Sequence, residues 1–297
     1  MLKNFLNVTL RVLIRDRGFS LINIFGFAIG IACTILILYW VHDELSYDDQ
    51  HVKRDRIYRV LSRVPTGEGY LHAGVTPAAL APDMEERFRE VEAAARFKRF
   101  GDYIFRVGED RYPQPNMGMA DSRLFDVFTF PFLEGTPEGC LDAPDAIVLT
   151  RSLARKFFGE EPATGKEVEI VDLGTFTVTG VIDDVSHSHV DFAYLISMEM
   201  ARKIFHDNID IYGSFNYNTY VLLEEDADPG LFENKIRNYL REYVYQDAPP
   251  EEVHSQFYLQ PLKDIYLRSD VAYDFIIRGD QKQVIVFSAI ALIVLLI

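Results

Sequence analysis

Cysteine is almost absent from this sequence. Among its 297 residues only Cys33 and Cys140 carry a thiol, and Cys33 lies inside a long apolar run. The one cysteine outside that run has no partner for a disulfide within the rest of the chain. Burial of apolar side chains must therefore stabilise the fold.

Basic side chains are also in the minority. The chain has 30 lysine and arginine residues against 45 aspartate and glutamate residues, for a net charge of −15. The first 18 residues carry +3 and the last 19 carry no net charge, so residues 43–278 carry −18. Because phosphate contacts need clustered basic side chains, this composition argues against nucleic acid as a partner. The same charge opposes flat binding to an anionic membrane surface.

Motifs of catalysis are missing as well. No serine, histidine and aspartate stand in a recognisable nucleophile context, and no carboxylate pair forms an identifiable pattern. The segment GEEPATGK at 159–166 superficially resembles a phosphate loop, but five residues separate its glycines where that loop has four. Glu167 also stands where the loop requires serine or threonine. We expect a non-catalytic chain that binds no cofactor of its own.

Histidine occurs in one polar cluster, DDVSHSHVD at 183–191. On a strand, His187 and His189 would present both rings on one face and could bind a transition metal. Clusters of this kind are more often polar turns. The turn is therefore the favoured interpretation, and we predict no metal site.

Two apolar segments bracket the acidic part of the chain. Residues 19–41 contain no charge, and a helix of that length reaches about 34 Å, enough to cross a bilayer. No small-x-small cleavage site follows it, so we expect a retained transmembrane helix over residues 19–42 rather than a signal peptide. The second run, 284–297, is shorter than a membrane span. We expect residues 279–297 to be the start of a second transmembrane helix, truncated where the sequence ends.

Charge asymmetry orients the first helix. Four basic residues and one aspartate precede it, whereas four acidic residues follow closely. The positive-inside rule places the N-terminus in the cytoplasm and residues 43–278 in the periplasm. Residues 1–18 show an apolar stripe typical of a cytoplasmic amphipathic helix at the interface, with Gly18 allowing a turn into the membrane.

Small residues recur on the first membrane helix. Gly26, Gly30 and Thr34 are spaced four residues apart, which allows close approach of a second helix. We consider these three residues candidates for helix packing. Glycine is common in membrane helices for other reasons, so simple tolerance stays an equal alternative.

The acidic part shows two strand–helix–strand patterns. The first has a strand at 57–64, a helix capped by Thr76 and Pro77, and a strand at 92–100. The second has a strand at 218–225, a helix after Asp228 and Pro229, and a strand at 257–262. Between them, short strands flank a helix that begins after Thr150 and ends at Gly159.

These patterns predict a mixed α/β (α+β) extracytoplasmic domain over residues 43–278, flanked by transmembrane helices. Residues 43–100 and 215–278 would form one subdomain of βαβ units. Residues 101–214 would form an inserted, strand-rich lobe.

Several stretches, spread over nearly the whole chain, form a series in a fixed order. They are RDRGFSLINIFGFAIGIA (15–32), DAIVLTRSLARKFFG (145–159), TGK (164–166), FTVTGVIDDV (176–185), SHSHVDF (186–192), LQPLKDIYLRSD (259–270) and GDQKQVIVFSAIALIVLLI (279–297). Together they resemble the MacB/FtsX-type ABC transporter permeases, especially the branch with a MacB-like periplasmic core domain. The resemblance implies that the first subdomain, residues 43–100 and 215–278, is porter-like.

The resemblance implies a permease subunit in the bacterial inner membrane. It implies a dimer with a second permease copy or paralogue, and a cytoplasmic ABC ATPase that holds ATP and Mg²⁺. ATP-driven motion would be relayed to the periplasmic domain, with a periplasmic adaptor or outer-membrane protein as a further partner. A lipoprotein, peptide or drug-like molecule would be exported or extracted.

A membrane receptor is the alternative from another class. An ATP-independent sensor with a ligand-binding external domain would have the same two-helix layout. Further membrane helices and an ATPase partner would favour the permease, whereas a kinase or cyclase domain would favour the receptor.

Overall fold

The computed structural model describes residues 14–67, 69–204, 209–249 and 253–296. The chain divides into two compact units, which are treated separately below. The first, here called the helical unit, comprises Met1–Ser46 and Gly279–Ile297. The second, here called the outer domain, comprises Tyr47–Arg278.

The helical unit contains two apolar helices, α1 (Arg17–Leu45) and α8 (Gln281–Leu296). By length and composition α1 can cross a membrane, in agreement with the span predicted over residues 19–42. Gly18 lies inside α1, so the predicted turn at this residue is wrong: the Ser20 amide donates to the Asp16 carbonyl at 3.0 Å and closes a helical turn around it. Residues 1–13 of the predicted interfacial helix lie outside the described residues.

The outer domain has a mixed α/β fold, as predicted. Its strands are β1 (Ile57–Thr66), β2 (Gly69–Ala73), β3 (Thr76–Pro77), β4 (Val91–Arg99), β5 (Tyr103–Val107), β6 (Asp110–Gln114), β7 (Met117–Ala120), β8 (Phe132–Glu134), β9 (Ala146–Thr150), β10 (Glu167–Ile170), β11 (Gly174–Ile182), β12 (Tyr194–Ser197), β13 (Phe215–Leu223) and β14 (Gln256–Pro261). Its described α-helices are α2 (Leu80–Arg87), α3 (Leu124–Val127), α4 (Arg151–Phe158), α5 (Met200–Ile204), α6 (Pro229–Ile236) and α7 (Ile265–Arg268).

The two predicted strand–helix–strand units interleave. The spatial order is β14-β1-β13-β4, and every neighbouring pair is antiparallel. The strands β1 and β4, joined through α2, are therefore parallel with β13 between them, and β13 and β14, joined through α6, are parallel with β1 between them. This is the split β-α-β arrangement of ferredoxin-like folds.

The sheet continues beyond β4 through strands of residues 101–214, in the order β7-β12-β9-β11-β10-β5-β6. The strands of the predicted inserted lobe thus occupy one half of the sheet, and the strands of 43–100 and 215–278 occupy the other. Since β4 pairs with β7 across the boundary, the sheet is unbroken there. The division into two subdomains stays a prediction.

Alternation along the strands assigns the side chains to two cores. On β13, Tyr220 and Leu222 belong to one buried cluster, which also contains Phe97 and Phe128. Val221 and Leu223 belong to another, formed with the apolar stripes of α2 and α6. Because successive side chains of a strand point to opposite faces, these two clusters cover opposite faces of this half of the sheet.

The helix ends follow the sequence signals in part. Asp228 accepts a hydrogen bond from the Leu231 amide at 2.9 Å, with Pro229 in the first turn, and Gly159 ends α4 with a φ of +66°. Thr76 does not cap a helix as predicted. It lies in β3, and its hydroxyl is 2.7 Å from that of Thr219, because this short strand pairs with β13 before α2 begins.

Gly118 offers a test of packing at the centre of the sheet. A Cβ atom here would lie 2.5 Å from Leu195 Cδ2 and 2.9 Å from Phe97 Cε2. We expect Gly118→Ala to lower the free energy of unfolding by about 1–3 kcal/mol through overpacking. Denaturant unfolding of the full chain in non-ionic detergent, followed by circular dichroism, measures this. Gly101→Ala, where no atom lies within 4 Å, is the matched control, and equal losses in the two variants would contradict the expectation.

Candidate functional site

A buried polar cluster lies close in sequence to the first apolar helix. Asp48 is the third residue after Leu45, where α1 ends, and its residue surface is only 2% exposed. Four other buried side chains complete what we call the Asp48 cluster: His51, Ser188, His189 and Tyr220.

The Asp48 carboxylate is saturated with donors. Its Oδ1 accepts from the Ser188 hydroxyl and from the His189 amide, both at 3.1 Å, and its Oδ2 lies 2.8 Å from His189 Nδ1. The Asp48 amide donates to the His187 carbonyl at 2.7 Å. Loop 186–190 thus holds Asp48 by both its side chain and its backbone.

His51 is oriented from both ring nitrogens. The Thr129 amide donates to His51 Nδ1 at 3.1 Å, so Nδ1 is the unprotonated nitrogen and the ring proton is assigned to Nε2. His51 Nε2 lies 3.4 Å from the Ser188 hydroxyl and 3.6 Å from Asp48 Oδ1. The rings of Phe128 and Phe130 pack edge-on against His51.

The cluster extends into the sheet through His189, whose Nε2 lies 2.9 Å from the hydroxyl of Tyr220 on β13. His189 and Tyr220 are both fully buried. Burial raises the pKa of Tyr220, so its hydroxyl stays protonated. An Asp–His–Tyr chain that is sealed from solvent has no access for a substrate, so its contribution is structural.

The charge of Asp48 is stabilised inside the protein. Burial by itself raises its pKa, but the charge and hydrogen bond of His189, together with the nearby His51 ring, outweigh that effect. The pKa of Asp48 consequently lies well below its usual range. The fold therefore depends on an ionised carboxylate at this position.

A second buried network, the Arg59 cluster, comprises Arg59 of β1, Gln260 of β14, Ser269 and Asp274. Arg59 Nη1 donates to Asp274 Oδ1 at 2.7 Å, and both side chains are 0% exposed. Arg59 Nη2 donates to Gln260 Oε1 and to the Ser269 hydroxyl, each at 2.7 Å. Asp274 precedes α8 by seven residues, so this ion pair holds the last part of the outer domain against the sheet.

The two clusters are continuous across the strands. Arg59 stands directly opposite Tyr220 in the β1–β13 ladder and directly opposite Gln260 in the β1–β14 ladder. Directly opposed side chains lie on one face of a sheet and touch. Tyr220 therefore belongs to one network and borders the other.

Both ends of the outer domain meet at loop 186–190. Asp48 bonds to this loop near the first end, and near the last end the Ile277 amide donates to the His189 carbonyl at 3.3 Å. The ring of Tyr47 also stacks on that of Tyr266, with centroids 3.5 Å apart. Because both ends of the outer domain are bound to this loop and to each other, these contacts oppose a displacement of either end.

The backbone is strained at these positions. Asp48, His187 and Tyr273 have φ values of +64°, +50° and +51°. Non-glycine residues with positive φ are uncommon, and each costs of order 1–3 kcal/mol unless its surroundings hold it in place. The hydrogen bonds of the two clusters provide that restraint.

The helix-packing candidates line a groove in the helical unit. Gly30, Gly26 and Thr34 border a cavity of about 590 Å³ together with Val294 and Leu295 of α8. A Cβ atom on Gly30 would lie 3.6 Å from Val294 Cγ1, whereas one on Gly26 would meet nothing within 4 Å. The Thr34 hydroxyl donates to the Gly30 carbonyl at 2.9 Å. Their role in packing stays a prediction.

The polar motifs of the sequence have structural roles. Segment 183–191 is not a strand, and His189 points to Asp48 and Tyr220 rather than sharing a face with His187. Among the described residues no cluster suited to a metal ion occurs. In GEEPATGK the amides of Ala163 and Thr164 both donate to Glu134 Oε2 at 2.9 Å, so a carboxylate occupies these donors.

Sequence reasoning did not find Asp48, Arg59, Tyr220 or Asp274. One weak signal existed for Arg59, a charged residue inside the strand IYRVLSRV between positions that alternation assigns to the core. For Asp48 and Asp274 no local signal existed, because the partners that neutralise their charges, His189 and Arg59, are 141 and 215 residues away in sequence.

A helix long and apolar enough to cross a membrane precedes a sheet-rich domain, which is the layout of a membrane protein with an extracytoplasmic domain. The family model of the MacB-like periplasmic core domain matches residues 20–239. The chain belongs to this family, which forms part of ABC-transporter permeases and functions with an ATPase partner.

Solved structures agree at the level of the fold. The chain is similar to a domain assigned to a permease from Porphyromonas gingivalis, with a TM-score of 0.60 and 21% identity over 71% of this chain and 92% of that one. It is also similar to the periplasmic region of MacB from Actinobacillus actinomycetemcomitans, with a TM-score of 0.52 and 16% identity over 71% of this chain and 91% of that one. The search of curated proteins gave no match.

Asp48→Asn tests the charge of the first cluster. We expect the substitution to lower the free energy of unfolding by about 3 kcal/mol at pH 7, since it leaves the buried His189 without its counter-charge. Asp48 has a lower pKa folded than the 3.8 of the free side chain, so its contribution is complete above about pH 4 and declines in more acidic solution. The difference in unfolding free energy between wild type and Asp48→Asn, measured by urea unfolding, should therefore become smaller from pH 4 to pH 2.5.

The neighbouring substitution Asp49→Asn is the control. Asp49 is 58% exposed and forms a surface ion pair with Arg54, so its loss should cost less than about 1 kcal/mol. If the loss of unfolding free energy in Asp48→Asn stays constant from pH 7 to pH 2.5, the role assigned to the carboxylate is contradicted.

Asp274→Asn tests the second cluster. It leaves the Arg59 guanidinium buried without its counter-charge, and we expect a loss of about 3–5 kcal/mol in unfolding free energy. Arg268→Ala is the control because it removes an exposed ion pair with Asp264, which should contribute under about 1 kcal/mol. Similar unfolding midpoints for the two variants would show that the buried pair is not required.

Proposed function

We propose that this chain is the part of a MacB/FtsX-type permease that relays motion from a cytoplasmic ABC ATPase to a periplasmic domain. The observation that carries the proposal is that both ends of the outer domain bind the same loop, 186–190, and the same face of one sheet. Covalent chain joins those ends to the two apolar helices. A displacement of either helix would therefore act on the whole outer domain at once.

The fully bonded clusters support a rigid connection. Flexible ends would absorb a displacement, whereas buried groups with all their hydrogen bonds made resist local opening. The ion pair between Arg59 and Asp274 is wholly buried, and solvent does not compete for it. In the proposed relay the outer domain moves as one rigid body.

The remaining parts of the proposal rest on the family. The permease would lie in the bacterial inner membrane, with its N-terminus in the cytoplasm and residues 43–278 in the periplasm. It would form a dimer with a second copy or a paralogue, and a periplasmic adaptor or outer-membrane protein would receive the motion. ATP and Mg²⁺ would bind to the ATPase, and a lipoprotein, peptide or drug-like molecule would be the substrate.

Spin labelling of the full-length permease with its ATPase in nanodiscs tests the relay. A nitroxide on Arg155→Cys is well placed, since the Arg155 side chain is 61% exposed, and exposed Cys33 is replaced by alanine while Cys140 is buried. We expect ATP with Mg²⁺ to change the distance between labels on the two outer domains. If the distances between the labels stay unchanged during ATP turnover, the proposal is wrong. If a ligand changes these distances without ATP, the result favours a receptor.

The Asp48 cluster provides a sharper version of this experiment. Asp48→Asn should reduce the ATP-driven distance change while ATP hydrolysis continues, because the substitution weakens the connection without touching the ATPase. The matched variant Asp49→Asn should behave as wild type. If both variants keep the full distance change, the relay does not pass through Asp48.

A further inference from the structure

A basic pocket lies at the β14 edge of the sheet. It is a cavity of about 510 Å³ lined by Arg63, His72, Glu233, Arg237, Gln256, Phe257 and Tyr258. Its size is within the range of sites that take small organic molecules. Its lining contains two arginines and one carboxylate, although residues 43–278 as a whole carry −18.

Three strands and one helix bring these residues together. Arg63 of β1 stands directly opposite His72 of β2 and directly opposite Gln256 of β14. Arg237 follows the last residue of α6. The pocket is therefore built on the ordered sheet and helix of the split β-α-β half.

The guanidinium of Arg63 is held but not neutralised. It lies over the ring of Tyr70, 3.8 Å from the ring centroid, which fixes its plane. Its Nε is buried and has no hydrogen-bond partner among the described residues. Buried polar atoms without a partner are rare. The Arg63 side chain also lines the cavity, so its guanidinium borders the cavity with part of its hydrogen-bonding capacity unused.

The one lining carboxylate is already engaged. Glu233 Oε2 accepts from the Leu259 amide at 3.0 Å, and Oε1 accepts from Arg237 Nη2 at the long distance of 3.4 Å. Glu233 thus fastens β14 to α6 and balances at most one of the two arginines. The pocket keeps a net positive charge.

A further donor comes from the pair of His72 and Tyr258. His72 Nδ1 lies 2.8 Å from the Tyr258 hydroxyl. Burial raises the pKa of Tyr258 to about 12, with Arg59 and Arg63 opposing and Glu233 adding to that effect, so the hydroxyl is protonated at neutral pH. The pair has one N–H and one O–H, and their mutual bond uses only one of them.

We propose that this pocket binds an amphipathic organic anion, with its carboxylate on Arg63 and Arg237 and its apolar body against the ring of Tyr258. The anion supplies the acceptors that Arg63 lacks, and charge-assisted bonds to guanidinium groups are strong and directional. Tyr258 is half-buried and offers ring surface, whereas Phe257 is fully buried beneath the pocket. This site does not depend on the proposed relay.

Equilibrium dialysis of the full chain in nanodiscs, with empty nanodiscs subtracted, tests the proposal. The probe is 2-naphthoate, and its neutral isostere 2-naphthamide is the ligand control. We expect saturable binding of one naphthoate per chain and no saturable binding of the amide. Equal binding of the two, or no saturable binding of naphthoate up to millimolar concentration, would overturn the proposal.

Variants locate the binding. Arg63→Gln and Arg237→Gln should each weaken naphthoate binding at least about tenfold, the effect of losing one charge-assisted bond. Arg237 is 48% exposed, so its replacement leaves the fold intact even if Arg63→Gln unfolds the chain. Arg155→Gln, at an exposed arginine outside the pocket, should bind as wild type. Undiminished binding by Arg237→Gln would overturn the assignment.

Discussion

The buried carboxylate of Asp48 is the constraint on which the ends of the outer domain depend. An ionised group inside a protein persists only where donors replace the water it has lost. Here the Ser188 hydroxyl and both the ring and the backbone amide of His189 are arranged around it. The loop is consequently fixed, the strained backbone of Asp48 and His187 is held in place, and the Ile277 amide finds its acceptor on the same loop.

The network then reaches the sheet through Tyr220 and Arg59. These two side chains are neighbours because β1 and β13 lie side by side, although the residues are far apart in the sequence. The split β-α-β topology is what places the first and last strands of the domain next to each other. In a membrane-anchored member of the MacB-like family, this arrangement brings both connections to the helices onto one face of one sheet.

The same half of the sheet carries two different kinds of polar group. In the Asp48 and Arg59 clusters the charges are buried and paired, which suits a part that must stay rigid. At the basic pocket beside β14, Arg63 has no carboxylate partner among the described residues and lines a cavity, as a binding site for an anion requires. Arginine occurs in both the Arg59 cluster and the pocket. What distinguishes the two places is whether its donors have hydrogen-bond partners.

The sequence by itself determined the apolar helix, the mixed α/β class, the four strands of the two strand–helix–strand units and the caps at Asp228 and Gly159, because each depends on residues within a few positions of one another. It also indicated the family through motifs in order. Only the tertiary structure decided that Thr76 pairs with β13, that His189 belongs with Asp48 and not with His187, and that Arg59 meets Asp274. These contacts join residues separated by 141 or more positions. Periodicity describes a side chain's own element, whereas a buried charge is explained only by the distant partner that the fold brings to it.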